Sequence, residues 1–188
     1  MIHIGIDQSL TNTGVVIIDT QINKIIFQKC FSAEKIENFY IDEETYESRE
    51  IFRIEDLIDE IMLNIKPFIK KGSIVFIESP IMGSQNSFNV IAQLIYLFYS
   101  FIREFEFMEI KYIKIPVHTH NKLFFGDSNY AMKKGPKYEL FWKKVFNKTK
   151  YEDQLGIFVD EKGELKIDLC DAFMLAYTGS GYVKTPII

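Results

Sequence analysis

The sequence predicts an α/β protein, a mixed central sheet of about five strands flanked by helices. Two observations predict it. Three short runs rich in Ile, Val and Phe open the chain in succession, separated only by polar turns. The apolar period then changes to that of a helix, and two more strand-like runs alternate with helical segments.

Taken in order, Ile2 to Asp7 and Gly14 to Asp19 are the arms of a hairpin whose polar turn is Gln8 to Thr13. Lys24 to Ser32 continues as a third strand. After an acidic connector, Ile51, Ile54, Leu57, Ile58, Ile61, Met62 and Ile65 recur at helical spacing, and Pro67 and Gly72 bracket the helix exit. Ser73 to Glu78 is an apolar run closed by a carboxylate, the pattern of a strand buried on both faces. Beyond Pro80 and Gly83, residues 86–102 read as a largely buried helix, and Glu109 to Val117 as an alternating strand. Residues 136–147 form a Lys-rich helix opened by Pro136, with Tyr138, Phe141, Trp142 and Val145 on its inner side. Asp153 to Lys166 reads as a hairpin turning at Asp160-Glu161-Lys162-Gly163. A last helix runs from Ile167 to Thr178 and stops at Gly179.

No repeat or linker divides the 188 residues, so one domain spanning 1–188 is expected. Hydrophobic residues at 47% and charged residues at 26% exclude a disordered or fibrous chain. Cys30 and Cys170 match no zinc or redox spacing, as expected for a reducing compartment. The opening residues lack the basic and apolar regions of a secretory signal. The most apolar run, Leu94 to Ile102, is about half a membrane span. A soluble, cytoplasmic protein is therefore expected.

The net charge of -4 argues against a polyanionic partner, but its distribution argues for one. Between Glu34 and Glu60 eleven acids face three bases, whereas between Lys111 and Lys150 ten lysines face two acids. Such asymmetry suits one face for a polyanion and another for solvent.

Four carboxylates stand where the apolar pattern alone would not put them. Asp7 and Glu78 each close a buried strand, and Asp168 and Asp171 lie three residues apart on an otherwise apolar helix, within roughly 60° of each other. Taken singly, such residues are also turn formers or helix caps. Taken together, with the strand ends parallel neighbours and the helix beside them, they converge. Like charges so close call for a divalent ion, and all-oxygen ligands favour Mg²⁺ or Mn²⁺ over zinc.

These residues resemble a known family. Ile4-Gly5-Ile6-Asp7 followed by Thr13-Gly14-Val15-Val16 is similar to the first motif of RuvC-type Holliday junction resolvases, Ile74 to Glu78 to the second, and Asp168-Leu169-Cys170-Asp171-Ala172 to the third. Pro116 and the stretch from Phe125-Gly126 to Lys137 stand where the family has its strand exit, glycine loop and lysine-bearing helix. Gln8-Ser9 replaces the family's Pro-Gly, Gly126 to Tyr130 replaces its glycine loop, and residues 34–47 and 150–166 align with nothing in it. Such departures fit a divergent phage or viral member, which would act in host cytoplasm.

The resemblance implies a ribonuclease H-like fold, a homodimer and metal-dependent cleavage of four-way DNA junctions. The mechanism expected is hydrolysis by water assisted by two Mg²⁺ ions roughly 4 Å apart, with Mn²⁺ as substitute. Asp7 bridges the ions, with Glu78 on one side and Asp168 and Asp171 on the other. Lys122, Lys133, Lys134 and Lys137 are candidate phosphate contacts, with Lys143 and Lys144 at the margin. His118 and His120, on a strand, would share a face, although exposed loop chemistry is the commoner use of such a pair. Phe88 and the aromatics of Tyr96 to Tyr99 are core residues before they are base-stacking ones.

Other readings stand beside this one. A broader branched-DNA nuclease would use the same residues. The Ile4 to Val16 strand-turn-strand also resembles the first phosphate loop of actin-like ATPases, but those proteins carry a second glycine-rich loop and about twice this length. A non-catalytic nucleic-acid binder would have no use for four carboxylates.

Overall fold

Alternation of apolar residues along the first strands dictates a sheet covered on both sides, and the computed structural model has that form. It describes residues 1–32, 46–80, 88–126 and 136–183. The strands are β1 (Ile2–Asp7), β2 (Thr13–Asp19), β3 (Lys24–Phe31), β4 (Ile74–Glu78) and β5 (Lys111–Ile115). They form one sheet in the order β3-β2-β1-β4-β5. The β1–β2 and β2–β3 pairs are antiparallel, while β1–β4 and β4–β5 are parallel. The expected mixed five-stranded sheet is present. The helices are α1 (Tyr46–Ile65), α2 (Phe88–Phe107), α3 (Val117–Phe125), α4 (Pro136–Phe146) and α5 (Ile167–Val183).

One face of the sheet buries Ile2, Ile4, Ile6, Val15 and Ile17 against α1 and α2. Six of the seven α1 positions read as an apolar stripe are buried there; Ile51 is exposed. Leu97, Phe98, Phe101 and Phe105 of α2 join the same core. The opposite face packs against α3, α4 and α5, where Trp142, Phe146, Phe158 and Phe173 form an aromatic cluster. The acidic α1 therefore lies on one side of the sheet and the lysine-bearing α3 and α4 on the other.

Helix α5 is apolar nearly all round because it is enclosed: residues 169–176 are all buried. It approaches the sheet closely enough to meet backbone. A Cβ added at Gly5 would fall on the carbonyl of Ala172, and one at Gly14 on the carbonyl of Asp168. His3, on the same face of β1, holds its ring Nδ1 3.2 Å from the Ala176 carbonyl oxygen and packs edge-on to Phe76. Burial lowers its pKa, which favours the neutral ring.

Four readings are corrected. His118 and His120 lie on α3, not on a strand, because Pro116 ends β5 and starts a short helix. Two positions apart on a helix do not share a face, so the strand argument for that pair lapses. The segment expected as a hairpin is a 3₁₀ helix, Glu152–Phe158, followed by a single bridge, Val159 to Leu165. Its turn is as read: Asp160 Oδ1 accepts the amides of Lys162 and Glu164, and Gly163 takes a positive φ of 82°. Helices α2 and α5 run on to Phe107 and Val183, because Gly179 sits inside α5 against Phe76 and does not end it. Finally, Phe98 is core, whereas Phe88 and Tyr99 are exposed at 83% and 59%.

Among the described residues, no helix is long and apolar enough to cross a membrane. The close approach of α5 gives a direct test. Gly5→Ala forces backbone against backbone and is expected to cost about 3 kcal/mol. In thermal unfolding that is a fall in Tm of roughly 10 °C; an unchanged Tm would refute the packing described.

Candidate active site

Asp7 is the last residue of β1 and only 7% exposed. Ile2, Ile4 and Ile6 take the α1–α2 face, so alternation puts His3, Gly5 and Asp7 on the α5 face. The same count along β4 puts Ile74, Phe76 and Glu78 there, since Val75 and Ile77 face α1 and α2. Ile6 and Ile77 are partners in the parallel pair, and the next residue in each strand is Asp7 and Glu78. A side chain fastens the two ends: Gln8 Nε2 donates to the Glu78 carbonyl oxygen at 3.0 Å.

The turn after Asp7 is fixed as well. Thr13 is fully buried; its hydroxyl donates to the Ser9 carbonyl at 2.7 Å and accepts the Ser9 amide at 3.3 Å. Gln8 and Ser9, which depart from the family pattern, thus close the turn and tie β1 to β4.

The helix brings the other pair. Asp168 lies in the first turn of α5, with its carbonyl over Gly14, the cross-strand partner of Asp7. It is the second residue of the helix and not its cap. Asp171, one turn on, is 8% exposed, and Tyr138 Oη of α4 donates to its Oδ1 at 2.5 Å. Burial first, then the neighbouring Asp171 carboxylate, pushes the Tyr138 phenol far above its usual range, and Asp7 adds to the shift. Cys30 pairs with Gly14 on the next strand. Its thiol is raised to about 11, by burial and then by the charge of Asp168, with Asp7 contributing. Asp7 is therefore felt at Tyr138 on one side and at Cys30 on the other.

From the sequence, the four carboxylates are expected to converge. The backbone positions of Asp7, Glu78 and Asp168 adjoin, yet among the described residues no three His, Cys, Asp or Glu side chains stand close enough together to hold one metal ion. The donor chemistry still fits a hard cation. Every candidate ligand is a carboxylate oxygen, and beside them Gln8 Oε1 is buried without a hydrogen-bond partner.

The lysines divide. Lys122 is exposed in the last turn of α3, and Lys143 and Lys144 sit in the last turn of α4. Lys133 and Lys134 lie outside the described residues, and Lys137 is on α4. Sequence reasoning missed Gln8, Cys30 and Tyr138. The Gln8-Ser9 departure was a visible signal for the first. Tyr138 was hidden inside an apolar stripe.

Fold and site geometry together define a ribonuclease H-like α/β domain. Among solved structures it is similar to RuvC from Thermus thermophilus. One T. thermophilus RuvC structure superposes with a TM-score of 0.65 at 13% identity, covering 98% of this chain and 96% of that one. The T. thermophilus RuvC complex with Holliday junction substrate gives 0.64 at 12% identity, over 98% and 95%. The yeast mitochondrial Holliday junction resolvase Ydc2 gives 0.47 at 12% identity, over 94% and 77%. At these identities the likeness establishes the fold. No family model and no curated protein matches the sequence.

Cys30 reports on the site without any metal. Cys30 is exposed, and the acidic charge of Asp168 beside it helps hold its thiol above the ordinary range, so iodoacetamide should label it more slowly than an unperturbed cysteine at pH 8. Asp168→Asn should speed labelling, because it removes the charge that contributes most to holding the thiol protonated. Equal rates in both proteins would contradict the geometry.

Proposed function

We propose that this chain is a divalent-metal-dependent endonuclease that cleaves branched DNA, with the four-way junction as substrate and a homodimer as the acting form. The observation that carries the reading is the seam where Asp7 and Glu78 end adjacent parallel strands beneath the helix of Asp168 and Asp171. The RuvC fold supports it, because the T. thermophilus protein of that fold was solved with a Holliday junction substrate.

In this reading Asp7, Glu78, Asp168 and Asp171 hold Mg²⁺, or Mn²⁺ in its place. When bound, the metal lowers the pKa of the attacking water and stabilises charge on the leaving 3′ oxygen. The chain's own part is positioning. The Gln8 bond keeps Asp7 and Glu78 side by side, and the Ser9–Thr13 bonds keep the turn from moving. Lysines on the α3–α4 side of the sheet, which is also the carboxylate side, draw in the phosphodiester backbone without reading sequence. Lys122, Lys133, Lys134 and Lys137 are assigned this role. The acids of α1 lie across the sheet, where they repel DNA least.

Cleavage of four-way, three-way and linear duplex DNA with Mg²⁺ tests the reading. Symmetric paired nicks confined to the four-way substrate are expected. Equal cleavage of all branched forms would leave a broader nuclease, and no metal-dependent cleavage would end the proposal. Asp7→Asn should lower cleavage roughly a thousandfold while folding and DNA binding persist. Replacing Lys122, Lys133, Lys134 and Lys137 by Gln should flatten the salt dependence of DNA binding by about one unit of slope per lost phosphate contact. An unchanged slope would remove them from the interface.

A further inference from the structure

We propose that Tyr138 is a positioning residue, whose hydroxyl orients the Asp171 carboxylate for metal binding and ties it to the lysine-bearing helix. The inference rests on the metal-dependent nuclease reading above. Both partners are buried, at 6% and 8% exposure, and the phenol donates to Asp171 Oδ1 at 2.5 Å.

The hydroxyl is not needed to dock α4. Trp142 and Phe146, further along that helix, already pack on Phe173 of α5 at ring separations of 6.1 and 5.0 Å. The Tyr138 ring meets Phe125 edge-on at 5.9 Å, a contact phenylalanine would make equally well. What phenylalanine could not do is reach Asp171 with a hydrogen bond. A ligating carboxylate fixed by an outer hydrogen bond loses less freedom when an ion binds, and outer partners of this kind commonly carry 10- to 100-fold in metal affinity. The bond also links two elements. Tyr138 directly follows Lys137 on α4, and Asp171 lies in the first turns of α5. Beside the aromatic packing, this hydrogen bond thus joins the proposed DNA-holding helix to the proposed metal-holding one.

Tyr138→Phe is the test, read by Mg²⁺ titration calorimetry and by the metal-induced rise in Tm, alongside cleavage of a four-way junction. The variant should stay folded with a metal-free Tm lower by roughly 5 °C, should keep its metal-free junction binding, and should bind Mg²⁺ about tenfold more weakly. Its cleavage should fall at low Mg²⁺ and recover at high Mg²⁺. In an Asp171→Asn background the same substitution should cause no further loss of metal affinity. Wild-type Mg²⁺ affinity in Tyr138→Phe would overturn the proposal. So would a fall in metal-free Tm without a change in affinity, or a variant that no longer folds, since either assigns the hydroxyl to the fold. Wild-type protein that neither binds Mg²⁺ nor cleaves would overturn the nuclease reading and this inference with it. Active wild type with an unaffected variant would overturn this inference alone.

Discussion

The contact of helix α5 with bare sheet backbone is the constraint from which the rest of the structure follows. Helices normally stand about 10 Å from a sheet because side chains fill the gap. Here Gly5 and Gly14 offer none, and the carbonyls of Ala172 and Asp168 occupy the space a Cβ would take. That approach fixes both the rotation of the helix and its register along the strands. Once Ala172 is over Gly5, Asp168 is over Gly14, whose partner is Asp7. The position of a helical carboxylate beside a strand-end carboxylate is thus set by two missing side chains.

Electrostatics pulls against that packing. Carboxylates whose backbone positions adjoin at one seam repel one another, and Tyr138 and Cys170 are both pushed toward protonation by burial and then by Asp171. The protein limits the cost in several ways. Asp171 receives a phenolic hydrogen bond, Asp168 sits at the positive end of a helix, and Gln8 holds the strand ends with an uncharged group.

How much of this was legible in the sequence depended on whether a signal was periodic. Strands β1 to β4 and helix α1 repeat their apolar residues at strand or helix spacing, and each lies within a few residues of its expected bounds. Asp7, Glu78, Asp168 and Asp171 stood out because each interrupts such a pattern. Helix α3 went unread because it has nine residues and no strong apolar face. The stretch from Glu152 to Leu165 was read for its turn, which is present, but its flanks are a 3₁₀ helix and one bridge that no period announces. Tyr138 shows a different limit. A tyrosine on an inner helix face reads as apolar until a partner 33 residues away, Asp171, is placed against its hydroxyl.

The division of charge completes the argument. Sequence alone shows an acidic stretch and a basic stretch, which any two solvated surfaces could explain. Among the described residues the fold sets these charges apart, because Ile54, Leu57 and Ile58 press α1 onto one face while Tyr138 and Trp142 press α4 onto the other. Acid and base are thereby separated by the thickness of the sheet, and the carboxylate seam lies on the basic side. A phosphate backbone drawn to α3 and α4 by charge is brought to the seam by the same attraction, although the seam itself repels it. In the proposed reading, cations between carboxylate and phosphate would ease that conflict, which ties the role assigned to the lysines to the role assigned to the metal.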